Sequence, residues 1–432
     1  MAKTDASQLS LPIPKPPVVS REASSTFADN MTLPIHRWFR YTAGFSASWA
    51  SDLIARERAN GRRRMLDPFA GSGTSLLEAE RCGVESIGME AHPFVARVAR
   101  AKLLWRQDPL AFGEHARSVV EAARAEDVVV RERPALMHKC YPLETLAKLE
   151  GLHAAWERLT QRAPLSELAW LALVSILREC SPVGTAQWQY ILPDKSKLQA
   201  SEPYSAYAGK VRQMVADMVE RQAGGWGPGA VLHQGDARDC RGVQDAWAEL
   251  VLTSPPYINN YDYADATRLE MTFLGEVARW RDLQDAVRTH LVRSSTQHVS
   301  EIASQTYAMV ESSELAVIRA ELAHTCRALE RERETHGGRK VYHTMVAAYF
   351  CDMAAVWAAL RRTAADGALV CFVVGDSAPY GVYVPVERWL GELALAAGFR
   401  SYSFEKTRDR NVKWRNRKHR VPLKEGRLWV EG

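Results

Sequence analysis

From Arg64 to Glu90 the chain reads as a short apolar strand (Arg64-Met65-Leu66-Asp67), a turn (Pro68-Phe69-Ala70-Gly71-Ser72-Gly73-Thr74), a helix from Ser75 to Cys82, and a strand from Val84 to Met89. That second strand ends on Glu90. Few folds accept this order. Glycines between a strand and a helix let the backbone approach a ligand closely at the helix N-terminus. An acid closing the next strand stands where a ribose diol would be met. The pattern predicts an α/β fold with a ligand site at the carboxyl edge of its sheet. The glycine spacing excludes two common occupants. Gly71-Ser72-Gly73 is neither the GxGxxG of a dinucleotide turn nor the GxxxxGK[ST] of a nucleotide P-loop.

A second stretch carries chemistry of its own. Val251-Leu252-Thr253-Ser254-Pro255-Pro256-Tyr257 begins as an apolar strand and ends in a rigid corner. The two prolines fix φ and remove two backbone donors, while the carbonyls before and between them stay free to accept. A hydroxyl precedes the corner and an aromatic ring follows it. Such a set suits gripping a planar nitrogen heterocycle by its exocyclic amino group while stacking on its face. The strand from Leu250 to Thr253 delivers Ser254 to the same edge of the sheet as Gly71.

Asp67 to Thr74 resembles the S-adenosylmethionine-binding motif of DNA amino-methyltransferases, and Ser254 to Tyr257 resembles their catalytic motif. The resemblance implies a Rossmann-like, seven-stranded class I methyltransferase sheet. It also implies roles. The string holding Asp67, Pro68, Phe69, Gly71, Gly73 and Thr74 would bind the donor, with the glycines lining methionine and adenosine and Asp67 holding the methionine ammonium. Glu90 would take the ribose hydroxyls. Asp236, in the strand-end string Gly235-Asp236-Ala237, would accept from the adenine amino group, with Ala237 beside it. The aromatic segment around Phe45 is similar to the motif that closes on the methionine end, although it reads Thr42-Ala43-Gly44 where the family has Pro-Ala-Lys. Ser254, Pro255, Pro256 and Tyr257 would be catalytic, gripping a base flipped from the duplex. Ser in front of Pro-Pro-Tyr leans towards cytosine N4; adenine N6 is the alternative. An RNA or tRNA amino-methyltransferase and a catalytically inactive DNA-binding specificity subunit are the other readings, and a cognate restriction or defence protein is a candidate partner. Cytosine C5 chemistry needs a nucleophilic Cys, which its family places after a Pro. No cysteine in this chain follows a proline.

With 432 residues, the chain has room for two domains, or for one large domain carrying an insertion. Residues 1–30 are rich in Pro, Ser and Thr and read as a disordered lead-in. Residues 31–105 and 228–432 read as the catalytic domain. Between them, 106–227 read as a helical insertion, with helices at 113–126, 143–158, 165–178 and 206–222. Its loop from Cys180 to Lys197, with Gln187, Trp188 and Tyr190, makes the insertion a candidate target-recognition region. The polar run Arg288–His298 reads as a DNA-facing loop or a solvated connection. Helix, strand, helix and a closing hairpin (strands 399–407 and 426–430) complete the sheet. The hairpin loop, 408–420, carries Arg408, Arg410, Lys413, Arg415, Arg417, Lys418 and Arg420 around one Trp, a density that favours DNA phosphate contact. The loop would leave on the catalytic edge if strand 399–407 runs parallel to the others. Net charge +5 leans weakly towards a polyanion. Seven scattered cysteines without a CxxC pair fit a reducing cytoplasm and show no metal-ligand spacing. The longest apolar run, Leu168 to Leu177, is too short to span a bilayer.

Overall fold

The computed structural model describes residues 27–41, 44–125, 132–161, 163–184, 192–196, 199–224, 227–410 and 421–432. The elements follow in chain order: α1 (Ala47–Ala59), β1 (Arg64–Asp67), α2 (Thr74–Cys82), β2 (Glu85–Glu90), α3 (Pro93–Leu103), α4 (Pro109–Arg124), α5 (Ala135–Cys140), α6 (Leu143–Arg158) and α7 (Ala163–Cys180). Next come β3 (Val183–Gly184), β4 (Leu192–Ser196), α8 (Pro203–Ala223), β5 (Val231–Gln234), β6 (Ala248–Thr253), α9 (Arg268–Phe273), α10 (Leu283–Ala286) and α11 (Thr306–Val310). The last are α12 (Arg319–Thr335), α13 (Tyr342–Thr363), β7 (Ala364–Gly375), α14 (Val386–Ala396), β8 (Ser401–Arg410) and β9 (Leu423–Glu431).

Seven strands form one sheet in the order β5-β2-β1-β6-β7-β9-β8. The first five positions are mutually parallel. β9 runs antiparallel to both β7 and β8, so β8 is parallel to the rest. The fold is therefore the α/β, Rossmann-like methyltransferase architecture with a helical insertion. Connections run outward from β1 through β2 to β5, then return to place β6 on the other side of β1. Open α/β sheets bind ligands at such a switch point, outside the carboxyl ends of the strands. Here it lies between Asp67 and Thr253.

Three apolar clusters hold these layers. One face of the sheet packs against α12, α13 and α14, where Trp357 stacks on Phe372 at 4.5 Å between centroids. The other face is covered by α1 and α2 through Leu53, Ile54 and Leu76. A third core is helical: α4, α6, α7 and α8 pack around Phe112, Trp170 and Leu173. It is continuous with α3 and with the segment that follows the Pro-Pro corner, from Ala264 to Leu291. The insertion thus buttresses α3 and the segment after the Pro-Pro corner. α13 is long and apolar enough by composition to cross a membrane, and its most apolar stretch is 83% buried within the fold.

The structure departs from the sequence expectations in a few places. α4 starts at Pro109, before the expected Gly113, because Pro suits the first helical turn and the Asp108 carboxylate accepts from the N–H groups of Leu110 and Ala111. The region expected as an insertion loop contains the β3–β4 hairpin. Residues 185–191, including Gln187, Trp188 and Tyr190, lie outside the described residues. Arg288–His298 is not a solvated connection. Arg288, Ser294, Ser295, Thr296 and His298 are buried, and Arg288 pairs with buried Asp262 at 2.7 Å. A charge can be held inside in this way because its partner is buried with it. β8 runs on to Arg410, so Arg408 and Arg410 sit on the strand rather than in the connection beyond it.

Candidate active site

Asp67 closes β1 and ties three elements together. Its carboxylate accepts from the Phe69 N–H (3.0 Å), from Thr253 Oγ1 on β6 (2.6 Å) and from the Ser75 hydroxyl on α2. The group is 1% exposed, and burial pushes its carboxyl up to about 6 against the pull of those donors. The turn that follows needs its glycines: Gly71 has φ 52° and Gly73 φ 86°. Gly71 N–H donates to Glu90 Oε2 and His92 N–H to Glu90 Oε1, both at 2.8 Å. Burial pushes the Glu90 carboxyl up to about 7, with these backbone donors opposing it. Each Glu90 oxygen keeps a further lone pair for a ligand hydroxyl.

The aromatic segment ahead of α1 is anchored from behind. Asp217, on α8 of the insertion, accepts from Ile35 N–H (3.0 Å), Arg37 Nε (3.1 Å) and Trp38 Nε1 (2.9 Å). Those bonds hold Ile35 at φ 66°, a strained value for a β-branched residue. Lys102 Nζ on α3 donates to the carbonyls of His36 (3.1 Å) and Phe39 (3.4 Å), and burial lowers its ammonium to about 7. His36 Nε2 lies 2.9 Å from Glu78 Oε1 on α2. The segment then reaches Phe45, which meets Trp49 edge-on at 5.6 Å.

At the Pro-Pro corner, Ser254 Oγ donates to the Val373 carbonyl of β7 at 3.1 Å. Its hydrogen is committed there, so the hydroxyl faces any further partner as an acceptor. Tyr257 N–H reaches Tyr263 Oη at 3.4 Å, and the Arg410 guanidinium lies 5.1 Å from the Tyr257 ring centroid. Arg410 also donates to the Asp376 carbonyl at 2.9 Å. Gly375 lies beneath this pair: a Cβ there would lie 2.6 Å from Arg410 Nη1 and 3.3 Å from the Tyr257 ring, so the guanidinium would have to shift. Next to it Arg408 grips Glu425 of β9 through Nε (2.9 Å) and Nη2 (3.0 Å).

These parts share one cavity of about 520 Å³ at the carboxyl edge. No protein-family model matches the chain. Over 411 residues it is 24% identical to the type II methyltransferase M.BsoBI of Geobacillus stearothermophilus, covering 87% of this chain and 80% of that one. Over 421 residues it is 24% identical to the type II methyltransferases M.AvaI of Nostoc sp. and of Anabaena variabilis, covering 87% of this chain and 81% of theirs. The chain is a homologue of type II methyltransferases. The resemblance carried by two short motifs therefore extends over most of its length.

Within this methyltransferase homologue the sequence-predicted residues divide into three groups. Phe45, Pro68, Phe69, Gly71, Glu90, Asp236, Ala237, Ser254, Pro255, Pro256, Tyr257 and Arg408 line the cavity. Asp67, Gly73, Thr74 and Arg410 do not line it; a side chain at Gly73 would meet Ala99 of α3 at 3.5 Å. Thr42, Ala43, Lys413, Arg415, Arg417, Lys418 and Arg420 lie outside the described residues. Asp236 is braced by Arg238, whose Nε and Nη2 reach Oδ2 at 2.8 and 2.6 Å. Arg238 Nη1 continues to Asp352 on α13 at 3.2 Å.

Sequence reasoning missed two parts of the wall. One is His290-Leu291-Val292, closed against α13 by Arg293, whose Nη2 and N–H bond Asp352 at 2.6 and 2.9 Å. An apolar pair inside a polar run was the available signal. The other comprises Tyr261, Tyr263 and Glu425. The dense Asn-Asn-Tyr-Asp-Tyr string just after the corner pointed to the tyrosines. Nothing local marks Glu425, which arrives only through strand pairing.

Proposed function

We propose that the protein is an S-adenosylmethionine-dependent DNA methyltransferase that methylates the exocyclic N4 amino group of a cytosine flipped from the duplex. The observation that carries this reading is the polarity of Ser254. With its hydrogen on the Val373 carbonyl, the hydroxyl can accept in a cavity that Pro255, Gly71 and Glu90 also line, and the Pro255 carbonyl is the second acceptor we assign. An aromatic amine is a poor nucleophile because its lone pair is delocalised into the ring. Two acceptors for its hydrogens return that pair to nitrogen, and positioning supplies much of the rate.

The donor fits the other half of the cavity. Glu90 offers free lone pairs to a ribose diol, Gly71 brings bare backbone to the wall, and Tyr41, Gly44 and Phe45 face the methionine end. S-adenosylmethionine, when bound, supplies an electrophilic methyl group for in-line transfer to the amine. The amine proton released on transfer lies on the hydrogen bond to Ser254 Oγ or the Pro255 carbonyl. Neither group is basic enough to keep it, so it passes to water. A base within a duplex cannot reach this corner, which requires flipping and stacking on Tyr257. DNA phosphates would meet Lys413, Arg415, Arg417, Lys418 and Arg420. Support comes from the direction of β8, which brings the chain to the catalytic edge at Arg410. Residues 106–227 are our candidate for sequence recognition.

The test is incubation with labelled donor and duplex DNA, followed by nucleoside analysis by mass spectrometry. N4-methylcytosine is expected. N6-methyladenine would overturn the choice of base, and label confined to RNA would overturn DNA as substrate. Absence of S-adenosylmethionine binding in calorimetry would overturn the enzyme reading altogether.

A further inference from the structure

We infer that the Arg408–Glu425 pair reads the target base, with the Arg408 guanidinium donating to the O2 and N3 acceptors of a cytosine whose amino group sits at Ser254. This inference rests on the proposed methyltransferase function and departs from the phosphate-contact role that the basic sequence suggests for Arg408.

The first argument is position. Cavity residues fall in strand order along the sheet edge. Asp236 follows β5, Glu90 ends β2, and Pro68 to Gly71 follow β1, so the donor half occupies one end. Ser254 follows β6. Beyond it, away from the donor, come Val373 of β7, Glu425 of β9 and Arg408 of β8. A base that presents its amine to the donor at Ser254 extends its ring in that direction. β8 lies three strands from β6, roughly 14 Å at the usual strand spacing. A pyrimidine ring and an arginine side chain together fill such a gap.

The second argument is chemistry. Arg408 is the only Arg or Lys among the described residues lining the cavity. Its Nε–Nη2 edge is fixed by Glu425, a carboxylate only 4% exposed, and Nη1 lies outside that pair. A guanidinium donates and never accepts. Cytosine presents N3 next to its amine and the O2 carbonyl one position further, both acceptors. Adenine presents N1 next to its amine but a C2–H where cytosine has O2. A fixed donor opposite C2–H is left unpaired, and sites built around a hydrogen bond reject analogues that lack it. Arg410 reaches Glu425 only at 3.8 Å, is held mainly by the Asp376 carbonyl and lies over the Tyr257 ring, where it backs the stacking surface.

The experiment compares single-turnover kcat/KM on the mapped methylation site, in duplex DNA bearing either cytosine or 2-thiocytosine at the target. The thiocarbonyl is a weak acceptor in place of O2. Wild type should prefer cytosine. Arg408→Met should lose about 10- to 100-fold on cytosine, as expected for a charge-assisted hydrogen bond, and should distinguish the two bases by no more than about twofold. Arg408→Lys should recover part of both effects. Glu425→Gln leaves the guanidinium in place but loosens it, and should also narrow the preference. S-adenosylmethionine binding serves as the check on folding; if Arg408→Met fails that check, Arg408→Lys and Glu425→Gln decide the matter. Variants that keep the full preference, or that only weaken DNA binding and flatten its salt dependence, would overturn the inference while leaving the methyltransferase reading intact. N6-methyladenine as the wild-type product would overturn the cytosine reading itself.

Discussion

At the scale of single residues, the proposed function rests most of the chemistry on two groups, and each makes a distinct prediction. We propose that Ser254 acts on the amine and not on the donor. Ser254→Ala should lower the single-turnover rate by about 100-fold, the usual cost of deleting one preorganised polar contact to the reacting group. S-adenosylmethionine affinity by calorimetry should change less than about twofold; a parallel loss of donor affinity would contradict the assigned role. In the same proposal Glu90 acts on the donor through its charge. Burial pushes its carboxyl up to about 7. A diol donates hydrogen bonds, so it binds the carboxylate and not the acid. Donor affinity should therefore be greatest above about pH 7 and fall as the pH drops through that value, approaching tenfold per unit, with proton release on binding. Titrations at pH 6 and pH 8 read this directly, and Glu90→Gln should flatten the pH dependence while weakening binding. Without ligand the sign for stability is opposite. A raised folded pKa makes the Glu90 contribution full below the ordinary carboxyl range, and it is lost as pH rises through about 7. Both residues were legible in the sequence because each sits at a strand end beside a backbone signal, glycine or proline. Their hydrogen-bond partners were not, since Val373 and His92 are fixed by pairing and turns.

At the scale of elements, the insertion reaches the donor site through one buried side chain. Asp217 of α8 is fully buried and holds Ile35, Arg37 and Trp38, from which the chain continues to Tyr41 and Phe45 at the cavity. Asp217→Ala leaves an indole N–H, a backbone N–H and a partly buried guanidinium without their acceptor. It should cost about 3–5 kcal/mol in denaturant unfolding. Because the anchored segment lines the cavity at what we propose is the methionine end, donor affinity should fall in the folded fraction as well. Loss of stability with unchanged donor affinity would show that the segment is anchored elsewhere. Periodicity made the insertion helices legible, since apolar residues at three and four mark a buried face regardless of what covers it. Long-range closures were not legible. Asp217 is one acid on an amphipathic helix, and Arg288–His298 has a solvated composition, yet its Arg288 and Arg293 are each matched by a buried carboxylate far away in sequence. Charge pairing across elements leaves no local trace.

At the scale of the whole molecule, the sheet decides which basic residues face which part of a substrate. The strand–glycine–helix order was enough to expect the parallel half of the sheet. The direction of β8 was only a condition, because a strand carries no mark of its partner's direction; pairing with β9 supplies it. The basic run beginning at Arg408 is thereby split. Arg408 and Arg410 end on the strand, where Arg408 pairs with Glu425 and Arg410 lies over the Tyr257 ring. Arg415, Arg417 and Lys418 lie outside the described residues, and we propose them as phosphate contacts. The two sets should behave differently. Neutralising Arg415, Arg417 and Lys418 together should weaken DNA binding across all sequences and reduce the slope of log affinity against log salt by about 0.9 for each phosphate that is no longer neutralised. If they contact phosphates as proposed, turnover on saturating DNA should stay within about twofold, because phosphate contacts position the duplex and do not act on the base. Arg408→Met should do the reverse, lowering turnover at an unchanged slope. Filter binding across a salt series separates the two, and a triple variant with the wild-type slope would remove that segment from the DNA interface.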